Sequence, residues 1–238
     1  MTLIFTEFII FLAVLLNAFA GFGTGLLMVP ILALLYPLKI LSPLVNLLVL
    51  SSNLLFIKTY HKNIQYKILI PLLVGNFLGG ILGVRYLLVA QNSFLLKILS
   101  VVILVSSLTM LIVDKKIRLR PHPVMGFLVG TTSGGLSALF ATGGPPLILY
   151  LSSIFKDKTV FRATSLCYFL LNGLMLTVLN AYYGLLTKEV LTLFIISLPV
   201  MLLGSWAGMK WHGKVSEQVF RKVVFGILIL AGVILLFK

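Results

Sequence analysis

Long apolar runs separated by short polar gaps set the pattern of this chain. The runs fall approximately at 3–20, 26–36, 40–57, 68–90, 94–113, 124–140, 145–155, 163–183, 190–209 and 223–237. Each is continuously apolar rather than alternating, so the pattern predicts embedded helices and excludes a transmembrane β-barrel. Two gaps are rich in glycine: Gly21-Phe22-Gly23-Thr24-Gly25 and Ala141-Thr142-Gly143-Gly144-Pro145-Pro146. The other principal gaps, at 58–67, 114–120, 156–162 and 210–222, are strongly basic.

Composition fixes the solvent. Of 238 residues, 60% are hydrophobic and 10% charged, with mean hydropathy +1.16. An ordinary soluble domain is about 45–50% apolar and about 25% charged. A soluble enzyme, a disordered chain and a disulfide scaffold are thereby excluded. At roughly 20 residues per span, the length holds about eight arms or spans and no separate soluble domain. The net charge of +14 sits in the gaps between apolar runs, with no surface that could form a groove for nucleic acid. It reads as positive-inside signals and attraction to membrane lipid headgroups, so lipids are expected partners and nucleic acid is not. The single cysteine, Cys167, lies in an apolar run and is expected to pack there. Ala18-Phe19-Ala20 resembles a signal-peptidase site, but Met1–Phe8 carries Glu7 and no Lys or Arg, so the segment is read as a retained helix.

The chain also repeats itself. Phe22-Gly23-Thr24-Gly25 aligns with Phe140-Ala141-Thr142-Gly143 at an offset of 118. Gly79-Gly80-Ile81-Leu82-Gly83-Val84-Arg85-Tyr86 aligns with Gly204-Ser205-Trp206-Ala207-Gly208-Met209-Lys210-Trp211 at an offset of 125. The expected organisation is a first transmembrane repeat at 1–113, a basic cytoplasmic linker at 114–120 and a second repeat at 121–238. Charge then sets the orientation. If each broken segment crossed once, the basic gaps would divide between the two sides, against the positive-inside rule. If each is a hairpin that enters and returns on one side, all four basic gaps fall in the cytoplasm. Both termini and the gaps around Lys39, Lys97 and Lys188 then fall outside. The expected fold is an all-α polytopic membrane protein of two inverted repeats, each a glycine-broken helical hairpin followed by three transmembrane helices. Such repeats are a signature of secondary transporters.

Each half carries a glycine-rich break followed by a proline-containing apolar helix. The first reads Ala20-Gly21-Phe22-Gly23-Thr24-Gly25-Leu26-Leu27-Met28-Val29-Pro30. The second reads Ser133-Gly134-Gly135-Leu136-Ser137-Ala138-Leu139-Phe140-Ala141-Thr142-Gly143-Gly144-Pro145-Pro146. With Phe161-Arg162-Ala163-Thr164-Ser165 and the two Gly-x-x-x-Gly helices, the set resembles the sulfite exporter TauE/SafE family of membrane anion transporters, also called the toluenesulfonate uptake permease family. The resemblance spans nearly the whole chain. It implies a carrier for small sulfur-containing anions such as sulfite and sulfonates in a bacterial or archaeal cell membrane.

A break inside the membrane leaves backbone groups that hydrocarbon cannot satisfy, so it must line a cavity or be buried in protein. Glycine is expected to supply positive φ there and to let a ligand approach the backbone closely. Pro145 and Pro146 suit the first turn of a new helix, whose free N–H groups and positive dipole end attract an anion. The candidate tip residues are therefore Gly23, Thr24, Gly25, Thr142, Gly143 and Gly144, with both hydroxyls as donors. Asn17, Asn53 and Asn172 lie inside apolar runs, where an amide is either interhelical glue or a substrate contact. Arg162 is either a positive-inside anchor or a forked partner for a sulfonate. Thr164 enters by the resemblance. Ser133, Ser137 and Ser165 more often bond back to their own helix. Arg85 and Lys210 read as snorkelling anchors. The Gly-x-x-x-Gly pairs permit close contact within one chain or between two, which leaves a homodimer open.

Absences narrow the function. The acidic residues Glu7, Asp114, Asp157, Glu189 and Glu217 all lie near run ends, against a carboxylate proton relay. His61, His122 and His212 fall in gaps without metal-ligand spacing, so no metal or cofactor is expected and an intramembrane Ser–His enzyme lacks its base. The reading is a non-enzymatic secondary transporter of a small sulfur-containing anion, with the site between the two hairpin tips and alternating access. A coupled proton would ride on the substrate. The alternatives are a carrier of another small solute on the same fold and a non-transporting membrane assembly protein.

Overall fold

The computed structural model describes residues 2–20, 24–60, 63–112, 119–211 and 217–237. Among them ten helices follow in order: α1 (Thr2–Ala20), α2 (Thr24–Leu32), α3 (Leu38–Tyr60), α4 (Tyr66–Val89), α5 (Asn92–Ile112), α6 (Pro123–Phe140), α7 (Gly144–Ile154), α8 (Lys158–Tyr182), α9 (Lys188–Trp211) and α10 (Glu217–Leu236). Five of these, α4, α5, α6, α8 and α9, are long and apolar enough to cross a bilayer. Helix starts carry local signals. Asp157 Oδ1 accepts from Thr159 N–H at 2.7 Å to cap α8, and His122 Nδ1 accepts from Val124 N–H before Pro123 opens α6. Pro43, Pro71 and Pro199 sit inside α3, α4 and α9, where packed neighbours can take up the freed backbone groups.

Both broken segments double back. At the far end of α7, Tyr150 Oη donates to the His122 carbonyl, and the Leu119 N–H reaches the Ser153 carbonyl at 3.2 Å. The end of α7 therefore returns to the start of α6. In the first half, the Tyr36 hydroxyl just after α2 lies 3.2 Å from Thr6 Oγ1 near the start of α1. A chain that crossed the membrane once would separate these partners by the whole bilayer thickness.

Helix pairings come in matched sets. Numbering five helices in each half, α1 packs on α9 as α6 packs on α4. In the same way α3 packs on α9 as α8 packs on α4, and α2 packs on α10 as α7 packs on α5, while α3–α8 and α5–α10 are their own counterparts. The α4–α6 seam is the closest. A Cβ at Gly75, Gly79 or Gly130 would strike the carbonyl of Phe127, Thr131 or Leu72, so backbone lies directly on backbone. Gly204 on α9 faces Phe11 and Val14 of α1. Both Gly-x-x-x-Gly helices thus place their first glycine against the hairpin of the opposite half. Gly79 and Gly204 are thus spent on contacts inside the chain. Ile70, Val74, Phe77, Val105, Ile195 and Leu203 point outward as an apolar surface for lipid.

Candidate functional site

The second break is described in full. α6 ends at Phe140, and Ala141 takes a left-handed conformation (φ 52°, ψ 26°), its N–H returning to the carbonyls of Leu136 and Ser137. Gly143 has an ordinary φ of −70°. The positive φ expected of glycine is therefore carried by alanine. Gly143 is needed for space instead, since a Cβ would strike Ser137 Oγ and the Ser133 carbonyl. Ser133 Oγ donates to the Gly143 carbonyl at 2.6 Å and holds the tip down on α6. Gly144 opens α7, with Pro145 and Pro146 in its first turn. Neither proline has an N–H, so the amides of Gly143 and Gly144 are the donors this helix start can offer.

The two tips touch. A Cβ at Gly25, in the first turn of α2, would collide with the Ala141 carbonyl. Around this crossing lies a cavity of about 50 Å³, where a single water needs roughly 10–15 Å³. It is lined by Thr24, Gly25 and Leu26 of the first tip, Asn46, Val49 and Asn53 of α3, and Ser137 of α6. Ala141 to Pro145 of the second tip and Phe169 and Asn172 of α8 complete it. Asn46, Val49 and Asn53 centre on the middle of α3, and Phe169 and Asn172 on the middle of α8. The cavity therefore sits level with the midpoints of the two long helices that pack against each other.

Its chemistry is polar and uncharged. Asn53 Nδ2, Thr142 Oγ1 and Asn172 Oδ1 are buried without a hydrogen-bond partner, in side chains only 7%, 1% and 5% exposed. Leaving such groups unpaired costs about 1–3 kcal/mol each, and three of them lie on this one cavity. Other polar groups nearby are spent on structure. Ser42 Oγ donates to the Ala138 carbonyl at 2.8 Å, and Asn46 Nδ2 reaches the Ser137 carbonyl at 3.4 Å. Tyr168 Oη donates to Asn76 Oδ1 at 3.0 Å, joining α8 to α4 behind the second tip. No titratable side chain is among the described residues that line the cavity.

Seven of the residues singled out in the sequence meet in this cavity: Thr24, Gly25, Asn53, Thr142, Gly143, Gly144 and Asn172. They are arranged by the repeat. Thr142 follows Thr24 by 118 residues and Asn172 follows Asn53 by 119, so one hydroxyl and one amide come from each half. Gly23 and the side chain of Asn17 lie outside the described residues. Arg162 and Thr164 do not line the cavity. Thr164 is fully buried and its Oγ1 accepts from the Gln65 N–H at 3.2 Å, tying α8 to the start of α4. Arg162 lies ten residues before Asn172 on α8, about 15 Å along the helix. Asn46, Val49 and Phe169 line the site without having been singled out. A signal for the first existed: Asn46 and Asn53 are seven apart, two turns on one helix face. Ser137, read as a residue bonded to its own helix, lines the cavity too.

Comparison with known proteins bears on the whole chain. The profile of the family described as Sulfite exporter TauE/SafE matches residues 8–235. A curated relative from Cupriavidus necator, named "Probable sulfite/organosulfonate exporter TauE", is 24% identical over 217 residues, covering 89% of this chain and 85% of its own. No solved structure matches. A match of that extent, on a chain of embedded helices with two broken hairpins, places this membrane protein in the sulfite exporter TauE/SafE family of transporters.

Proposed function

We propose that the chain is a secondary transporter, an exporter or permease, of small sulfur-containing anions such as sulfite or organosulfonates, and that the cavity between the hairpin tips is its binding site. One observation carries this reading: the unpartnered polar atoms of Thr142, Asn53 and Asn172 converge on one mid-helix cavity with the N-termini of α2 and α7. Helix N-termini present free N–H groups and a positive dipole end, and hydroxyl and amide N–H groups add donors. An oxyanion uses all of them.

The matched helix pairings support a two-repeat organisation, 1–113 and 121–238; the inversion of the second repeat, the cytoplasmic linker and the outside termini are proposed from the basic gaps. Alternating access is the mechanism we propose for it. Each hairpin packs on a spanning helix of the opposite half, α1 on α9 and α6 on α4. Rocking one half against the other opens the tip crossing to one side or the other while the site stays between them. The test is uptake of labelled sulfite into vesicles containing the purified protein. Saturable uptake that competing anions inhibit and a monovalent amine does not is the expected result. Uptake no greater than in protein-free vesicles, or competition by the amine, would overturn the reading.

A further inference from the structure

Charge in the cavity has a size, and that size selects among oxyanions. The described lining carries no Lys, Arg or His. What positive potential it has comes from the N-termini of α2 and α7, each worth roughly half an elementary charge. Two such ends sum to roughly one, which balances a monoanion and leaves the second charge of a dianion uncompensated in a buried site. The cavity, at about 50 Å³, admits a compact ion. It also holds an acceptor, since Asn172 Oδ1 is buried and unpartnered and asks for a donor that a fully ionised oxyanion lacks.

We propose, resting on the binding site described above, that this cavity selects a compact oxyanion in its singly charged, proton-bearing form. Hydrogensulfite fits and the sulfite dianion does not. The bound hydroxyl donates to the Asn172 amide oxygen, while Asn53 Nδ2, Thr142 Oγ1 and the amides at the start of α7 donate to the other oxygens. The proton travels on the substrate, and no side chain of the site has to take it up or release it. In this way a site with no titratable side chain in its described lining would carry one proton with each anion.

The experiment is uptake of labelled sulfite into vesicles at equal pH inside and out, from mildly acidic to mildly alkaline, with the protein-free rate subtracted. Sulfite loses its proton within that range. Initial uptake at subsaturating substrate should fall in step with the singly protonated fraction, and sulfate, a compact dianion throughout, should fail to compete. Asn172→Leu should lower apparent affinity about tenfold at the acidic end, the size of one lost hydrogen bond to a charged ligand. A carboxylate does lie in the first hairpin: Glu7 on α1 accepts from Ser197 Oγ of α9 at 2.8 Å, and because it does not line the cavity Glu7→Gln should leave the profile in place. Uptake that stays level or rises as the dianion forms, effective competition by sulfate, or a profile flattened by Glu7→Gln would each overturn the proposal. The wild-type profile and the sulfate competition decide even if Asn172→Leu does not fold. Should Thr142→Val and Asn53→Leu transport like wild type, the binding site itself would be misplaced, a failure separate from this one.

Discussion

Thr142 separates binding from folding more cleanly than any other residue of the site. Its hydroxyl is buried without a partner, so the native protein carries an unpaired polar group at that position. Thr142→Val keeps the shape and removes the hydroxyl. We expect it to leave thermal stability unchanged or raise it by about 1 kcal/mol, and to weaken sulfite binding by about 0.5–1.5 kcal/mol. Melting curves with and without sulfite measure both, and a variant that is destabilised but binds normally would make Thr142 structural. Glycines divide in the same manner. At Gly25 and Gly143 a Cβ would strike backbone, so substitutions there report on folding as much as on transport. A Cβ at Gly144 meets only the tip of the Phe169 ring at 3.8 Å. Gly144→Ala should therefore fold, as read by its melting temperature, and still narrow the ligand's approach to the amide; unimpaired uptake would remove that amide from the site.

At the scale of helices, the two hairpins are held differently. α6 lies on α4 through a seam of glycines that brings backbone to carbonyl, and Ser133, Tyr168 and Asn76 add a polar brace behind its tip. α1 meets α9 at Gly204, where a Cβ would stand 3.0 Å from the Phe11 carbonyl. Gly79→Ala should consequently cost about 1–3 kcal/mol, and Gly204→Ala distinctly less, when the two are compared by thermal melting in one detergent. Equal costs would mean the seams are equivalent. Much of this level was legible beforehand. Apolar runs located the helices, charge in the gaps implied hairpins, and the duplicated break picked out Thr24 and Thr142. Packing partners were not legible, because Gly79 and Gly83 show in sequence only that something comes close, not that it is α6. Depth misled as well. Thr164 and Asn172 are both polar residues of one helix, and only the tertiary contacts reveal that Thr164 meets the start of α4, two turns away from the cavity.

For the molecule as a whole, the hairpins, the matched pairings and the mid-helix cavity fit one design: two halves that each contribute a broken hairpin, a threonine and an asparagine to one shared cavity, the proposed anion site. Its topology can be tested with single cysteines in a Cys167→Ser background. Residue 158 is expected to be protected from an impermeant reagent applied outside, and residues 2 and 238 to be labelled; the reverse pattern would invert the molecule. The claim that matters most is that one site between the tips binds the anion. Equilibrium binding of sulfite to the purified protein, compared with a Thr142→Val/Asn53→Leu double variant of equal or higher melting temperature, addresses it directly. Affinity should fall at least about tenfold, since two donors to a charged ligand are removed. Unchanged affinity in the folded double variant would place the substrate elsewhere and contradict it.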